Sequence, residues 1–506
     1  MEVFSPVGIK VAAVGNAIPG YGSNMPGYVF TNEKLVGRLK PISSRLSSIL
    51  PDKWDVYGQV LKKFASITGI EQRSLMLDLE REAVDQTLRT IALVNKLREE
   101  PYSSGSPKID FSHYPTEWLG LLAAIDTLHQ VKENKEKEDK SFSVADVEGF
   151  IFITSVPDTQ IPPSGSLITK VLGIEPAHFS NRQLACTSFI SALNEACSLM
   201  SQPEADINNF LIVASEPSSR LKQLYVKEEP SDDRVSSSKS KKGEKKSKES
   251  WRKRKFKQLI DELTQNTLFG DAAFAIYLEK VKGPGGFIIT TTPQYPNRPC
   301  PEIRATYPGD SKDLKRVADM AGKGSTTKYR EFAQLETKEI KELLMIYKQL
   351  IGGFTENDRL VLPQLGKDVV KRSLSGIKDE EQKKAVEKAS IENPVRFLAN
   401  TGAAATLGAW WYGIKNGDIK PENRVGLITF GLGGIEGMGI SDPNAEVGYR
   451  VVNLRRLLNK SQEVPLGVLM SRSRVTKLNL SSEDDTVVDA GNNDDSHQPV
   501  FADNKV

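Results

Sequence analysis

Short apolar runs rich in β-branched residues alternate along the chain with longer stretches of helical periodicity. GIKVAAVG (8–15), GFIFITSV (149–156), NFLIVASE (209–216), AAFAIYLEKV (272–281), GGFIITTT (285–292), DRLVLPQ (358–364) and RVGLITFGLGG (424–434) have the length and composition of strands. Their near-continuous apolar character points to sheets covered on both faces. Between them, SFISALNEACSLMSQ (188–202), YREFAQLETKEIKELLMIYKQLIG (329–352) and AATLGAWWYGIKNG (404–417) space their apolar residues as helices do. The alternation predicts an α/β protein.

Four segments depart from this pattern. Residues 130–146 carry mixed charge and read as a helix end and loop. Residues 225–257 pass from acidic to strongly basic with almost no apolar side chains; they cannot bury enough surface to offset the entropy of ordering and are expected to be flexible. Residues 296–330 are rich in Pro, Gly and Thr and read as a long loop. Beyond about residue 475 the chain is polar and acidic, and no fold is expected there.

At 506 residues, with 39% hydrophobic and 26% charged positions, the chain is long enough for a large core and has ordinary globular usage. A net charge of +3 is too small to mark a nucleic-acid binder, so any basic surface is local. Three cysteines, Cys186, Cys197 and Cys300, make neither a disulfide framework nor paired zinc spacing, and the four histidines lack a two-ligand spacing. No metal and no bound cofactor are expected. The N-terminus lacks a basic start followed by an apolar stretch, and no run reaches the roughly 20 apolar residues of a membrane span. These readings lead to the expectation of a soluble, cytoplasmic protein.

The most informative site is NRQLACTSFISAL (181–193), where Cys186 is expected in the first turn of an amphipathic helix. The positive end of the helix dipole favours the thiolate there, which prepares a nucleophile without an adjacent base. Ala185, Thr187 and Ser188 are small enough to let a carbonyl approach the backbone N–H groups. A buried, inert thiol is the alternative, and Cys197, three turns further on, suits that description.

Seven segments, FTNEKLV (30–36), ITGIEQR (67–73), ITSVPDTQIPPSGSLITKVLGIEP (153–176), LACTSF (184–189), LFGDAAFAIYLE (268–279), ANTGAAATLGAWW (399–411) and FGLGGIEGMGI (430–440), occur in this order. Together they resemble the β-ketoacyl-acyl-carrier-protein synthase III family of the thiolase superfamily, over approximately residues 8–441. The resemblance implies two similar α/β halves packed as a five-layered α-β-α-β-α core, an acyl thioester on a cysteine, and a homodimer or a heteromer with another synthase. The halves would be 1–224 and 258–441, separated by the charged insertion 225–257 and followed by an extension, 442–506. Cys186 matches the acylated nucleophile. Asn400 matches the asparagine whose amide stabilises an enolate oxygen, although on the residues alone capping of the following helix is the better reading. The backbone N–H groups of Cys186 and Leu432 match the oxyanion hole for acyl transfer.

Two departures matter. The family has proline followed by histidine where this chain has Pro363-Gln364, so a group able to exchange a proton is replaced by one that only donates or accepts hydrogen bonds. The aromatic residue and arginine that grip coenzyme A in the family align with Lys63 and Ile67. A basic stretch containing Lys241, Lys242, Lys245, Lys246, Arg252 and Arg254 falls where the family has a short loop near the mouth of its tunnel, which suits steering of an acidic carrier protein. The acyl donor is therefore expected to be an acyl carrier protein or an acyl-coenzyme A, with no nucleic-acid partner. The resemblance implies acyl transfer from Cys186 to a malonyl-type or other nucleophilic acceptor, in fatty-acid or secondary-metabolite biosynthesis. The alternative is a catalytically degenerate subunit that retains the fold to partner an active synthase.

Overall fold

The computed structural model describes residues 7–20, 28–34, 62, 65–66, 68–76, 83–98, 111–159, 161–218, 268–291, 340–364, 367–431, 435–445 and 449–453. The strands among them are β1 (Val7–Ala17), β2 (Tyr28–Thr31), β3 (Gln72–Leu75), β4 (Gly149–Ile153), β5 (His178–Arg182), β6 (Asn209–Glu216), β7 (Ala272–Lys282), β8 (Gly286–Thr291), β9 (Asp358–Val361), β10 (Arg424–Gly431), β11 (Ile435–Asp442) and β12 (Tyr449–Asn453). The helices are α1 (Ala83–Leu97), α2 (Pro115–Lys137), α3 (Ser166–Leu172), α4 (Ser188–Met200), α5 (340–351), α6 (Lys367–Ser375), α7 (Glu380–Ala389), α8 (Val395–Leu398) and α9 (Ala405–Lys415). The expected helix at 329–352 is seen over 340–351; its earlier part lies outside the described residues.

Two sheets carry the architecture. The first runs β1-β7-β6-β4-β5, with β7 antiparallel to both neighbours and β6, β4 and β5 parallel. The second runs β12-β8-β11-β10-β9, with β11 antiparallel to both neighbours, β10 parallel to β9, and a parallel bridge from Leu360 to Ser390 beyond β9. Taking the strands of each sheet in chain order, with β12 set aside and the Ser390 bridge counted third in the second sheet, both place first beside fifth, fifth beside fourth, and fourth beside second. The third position is β5 in one sheet and the Ser390 bridge in the other, and β12 is an addition on the β8 edge. The duplication, invisible as a repeat in the sequence, is plain in the strand order.

This order corrects the expected division of the chain. β7 follows the 225–257 insertion yet pairs with β1 and β6, so the sheets divide at the Gly283–Gly285 turn and not within the insertion. The reason is topological: the fifth strand of the first sheet must return antiparallel along β6, and the insertion lies inside that connection. The extension after 441 is likewise not separate at its start, since β12 pairs in parallel with β8.

Side-chain alternation builds the layers. On β4, Ile151 and Ile153 face one core while Phe150 and Phe152 face another; Ile212 and Val213 on β6, and Ile276 and Ala275 on β7, divide in the same way. The first core holds α4 and α9, with Phe189, Leu193, Leu407 and Trp410, and is closed from the opposite side by Phe287, Ile289, Val361 and Leu427 of the second sheet. The second core holds α2, with Trp118 and Leu121. The third lies under α5 and α7, with Leu344 and Val386 against Leu360, Ile428 and Met438. The order is helices, sheet, α4 and α9, sheet, helices: a five-layered fold, as expected. Each fully buried large apolar side chain contributes roughly 1.5–3 kcal/mol, which makes the central layer a rigid base for the turns at its helix starts.

Two buried polar anchors fix the periphery. Asp158 accepts hydrogen bonds from the Thr116 and Glu117 N–H groups at the start of α2 (3.2 and 2.8 Å), while the Glu117 side chain accepts from the Leu167 N–H at the start of α3 (2.9 Å). These caps hold the loop at 156–166. In the second sheet, Arg424 grips the wholly buried Asp358 at 2.6 and 3.0 Å, and the Thr355 hydroxyl donates to the same carboxylate at 2.9 Å. Asp358→Ala leaves the guanidinium without its counter-charge and is expected to cost roughly 3–5 kcal/mol in urea unfolding; a loss below about 1 kcal/mol would show the pair to be marginal.

Candidate active site

Cys186 sits on a single 3-10 turn, Ala185–Thr187, immediately before α4. The expected position in the first turn of the α-helix is corrected by this turn. Its backbone is strained: Ala185 has φ +50°, a conformation L-residues rarely adopt. Two side chains hold it. Ser188 Oγ accepts from the Leu184 N–H at 2.7 Å, and the Thr187 hydroxyl donates to the Leu184 carbonyl at 2.7 Å. A third contact ties the turn to the second sheet, where the Thr429 hydroxyl on β10 donates to the Cys186 carbonyl at 2.9 Å. Cys186 is half-buried, whereas Cys197 is completely buried and its thiol is pushed well above its ordinary pKa by desolvation. The two thiols thus divide into an accessible one at a helix start and an inert one in the core.

Asn400 lies on a second strained turn. Ala399 before it has φ +60°, and Gly402 after it has φ +56°. The Asn400 N–H donates to the Leu268 carbonyl and the Asn400 carbonyl accepts from the Gly270 N–H, both at 3.0 Å. Gly270 is required at this approach, because a Cβ there would stand 2.1 Å from the Leu398 carbonyl oxygen. The Asn400 side-chain oxygen accepts from the Gly402 N–H at 2.8 Å. Oδ1 thus caps the turn leading to α9, as the capping reading expects, and Nδ2 is the donor end of the amide.

Gln364 follows β9 and is 1% exposed. Its Oε1 accepts both the Thr401 N–H (3.0 Å) and the Thr401 hydroxyl (2.9 Å). A backbone N–H can only donate, so the atom facing it is the oxygen, and Nε2 points the other way. That Nε2 is buried without a hydrogen-bond partner. An unmet buried donor costs about 1–3 kcal/mol unless something accepts from it. Asn400 and Gln364 thus meet through Thr401; each has its side-chain oxygen taken by a backbone N–H, and the Gln364 Nε2 is left to donate. The turn at 402–404 that follows Asn400 packs against the Cys186 turn.

Leu432 lies outside the described residues, between Gly431 and Ile435, as do Lys63, Ile67, Lys241, Lys242, Lys245, Lys246, Arg252 and Arg254. Glu216, Thr401 and Thr429 are structural parts of the site that the sequence reading passed over. Glu216 carried a visible signal, a carboxylate ending the otherwise apolar NFLIVAS run; the two threonines carried none. Among the described residues, no cluster of His, Cys, Asp and Glu is disposed to hold a metal, and no helix is long and apolar enough to cross a membrane.

Comparison with solved structures places this geometry in a known architecture. The chain resembles the 3-oxoacyl-(acyl carrier protein) synthase III FabH of Pseudomonas aeruginosa PAO1 at 15% identity, covering 88% of this chain and 99% of that one, with TM-score 0.52. It resembles the 3-oxoacyl-[acyl-carrier-protein] synthase III of Aquifex aeolicus VF5 at 16% identity, covering 86% and 100%, with TM-score 0.51. A single-residue variant of Xanthomonas campestris OleA matches at 14% identity over 87% and 100%, with TM-score 0.53. The fold is thiolase-like. No protein-family model matches the chain, and no curated protein matches it in sequence.

Within that thiolase-like frame the two halves contribute differently. The first sheet delivers the Cys186 turn through α4, while the second delivers Gln364 from β9, and Asn400 from the turn before α9.

Proposed function

We propose that the protein is a condensing acyltransferase that carries an acyl group on Cys186 and passes it to a malonyl-type thioester. The observation that carries this reading is the buried, unpartnered Nε2 of Gln364, joined through Thr401 to Asn400, whose following turn packs against that of the half-buried Cys186. The Cys186 thiolate attacks the donor thioester carbonyl, the backbone N–H groups of Cys186 and Leu432 receive the oxyanion, and collapse expels the carrier or coenzyme thiol. In the second step the malonyl carboxylate leaves as carbon dioxide, and its C–C bonding pair becomes the enolate. The enolate carbon attacks the Cys186 thioester, and the tetrahedral adduct expels the Cys186 thiolate as the new C–C bond forms. The electron pair comes from decarboxylation, so no base is needed to make the carbanion; donors to the enolate oxygen suffice. This is why Gln364, which cannot exchange a proton near neutral pH, suits a decarboxylating acceptor better than one that must lose an α-proton.

The reading is tested by intact-protein mass spectrometry after incubation with a panel of acyl-carrier-protein and acyl-coenzyme A thioesters, followed by a malonyl thioester. One acyl increment on the protein, discharged with release of carbon dioxide and a β-ketoacyl product, is the expected result. No increment with any donor would overturn it in favour of a degenerate partner subunit.

The carrier-protein donor rests on the charge of 239–257. Deleting 228–257 is expected to slow carrier-dependent loading and blunt its salt dependence, and unchanged loading kinetics would remove the argument. We also propose a homodimer: β5 is an edge strand with all five residues half-exposed, and the neighbouring Ile161 is 93% exposed. Light scattering that returns a monomer would overturn this.

A further inference from the structure

Glu216 ends β6 directly beneath the Asn400 turn. Its side chain is buried, Oε2 accepts the Ser155 N–H at 2.8 Å, and the carboxyl also accepts from the Ala403 N–H. A Cβ on Gly402 would fall 2.8–2.9 Å from Glu216 Cγ, Cδ and Oε1, so the turn rests on the carboxyl itself. Gly402 in turn donates to the oxygen of Asn400. A continuous link therefore runs from the loop after β4, through Glu216, to the orientation of the Asn400 amide.

We propose that Glu216 is a positioning residue for the acceptor step: its carboxyl fixes the 400–403 turn so that the Asn400 amide meets the enolate oxygen, and it works in its uncharged form. The inference rests on the condensing reading above and adds to it a residue and a pH dependence. The uncharged form follows from the surroundings. Burial, reinforced by the charge of Asp271 just before β7, pushes the Glu216 carboxyl up to about 8. Ser155 and the Gly402–Ala404 turn present neutral amides, and the Cys186 turn packed against 402–404 brings one thiol, which carries no titratable proton once acylated. Below about 8 the carboxyl holds its proton; above it, a negative charge lies against the turn that must stabilise a second negative charge. The acceptor step is therefore expected to slow as pH rises through that value.

The test uses the full chain, loaded with one acyl group, in single-turnover discharge by a malonyl thioester on both sides of pH 8, with loading rates measured alongside. Wild type is expected to lose rate about tenfold per pH unit on the alkaline side. Glu216→Gln, neutral throughout, is expected to flatten that limb with loading unchanged, and Glu216→Ala to slow discharge about 100-fold at neutral pH while loading persists. An alkaline limb in Glu216→Gln identical to wild type, or equal losses of loading and discharge in Glu216→Ala, would overturn the proposal. Where Glu216→Ala fails to fold by circular dichroism, the Glu216→Gln profile decides. Wild type that loads but releases no carbon dioxide overturns the condensing reading and this inference together; wild type that condenses beside an unflattened Glu216→Gln profile overturns the inference alone.

Discussion

Cys186→Ala is expected to abolish the acyl increment completely while leaving the fold intact. The substitution leaves in place the hydrogen bonds that Thr187, Ser188 and Thr429 give the turn. Alanine removes only Sγ from a half-buried side chain, and circular dichroism beside wild type checks that the fold is kept. The mass spectrum is therefore a clean readout: an increment that persists in Cys186→Ala would place the nucleophile elsewhere. Cys197, wholly buried with its thiol pushed up by desolvation, serves as the internal contrast and is expected to resist iodoacetamide under conditions that alkylate Cys186.

Gln364→Ala is expected to slow the acceptor step by roughly 100- to 1,000-fold, the usual effect of losing one oxyanion donor, with Cys186 loading largely preserved. Truncation also deprives the Thr401 N–H and hydroxyl of their acceptor. That destabilises the turn and muddles a single-variant result, with a cost of about 1–3 kcal/mol for an unmet buried donor. Gln364→Glu, assayed at a pH high enough to ionise the buried carboxyl, separates the two roles, because a carboxylate oxygen still accepts from Thr401 while the atom replacing Nε2 becomes an acceptor in place of a donor. A Gln364→Glu protein that melts near wild type but discharges as slowly as Gln364→Ala supports the donor role. Discharge within threefold of wild type in both variants would show Gln364 to be only a fastening for Thr401.

The Gln364 experiment bears on the departure expected from the family that the sequence resembles, glutamine where that family has histidine. A histidine supplies a donor and, near neutral pH, an acceptor for a proton; glutamine supplies the donor alone. The hydrogen bonds from Thr401 occupy Oε1 and leave Nε2 as the unpartnered end, so which end donates does not depend on chance rotation.

The strands and helices of the core were legible in the sequence because each is a local pattern. The GFIFI run of β4 and the amphipathic repeat of α4 declare themselves within a few residues. Cys186 and Asn400 were singled out by the motifs that surround them, and Gln364 as an expected departure from such a motif. What the sequence could not settle was anything resting on contacts between distant segments. Residue 272 begins a strand in any reading, but only pairing with β1 and β6 assigns it to the first sheet across the 225–257 insertion. Gln364 and Thr401 are 37 positions apart, and their hydrogen bonds alone decide which end of the glutamine amide is occupied and which is left to donate. Glu216 reads as the polar end of a buried strand until the Asn400 turn is laid on it, 186 residues later. The physical reason is the same in each case. Periodicity encodes which face of an element seeks burial, whereas the direction of a side-chain dipole and the charge state of a buried carboxyl depend on neighbours that only the tertiary fold supplies.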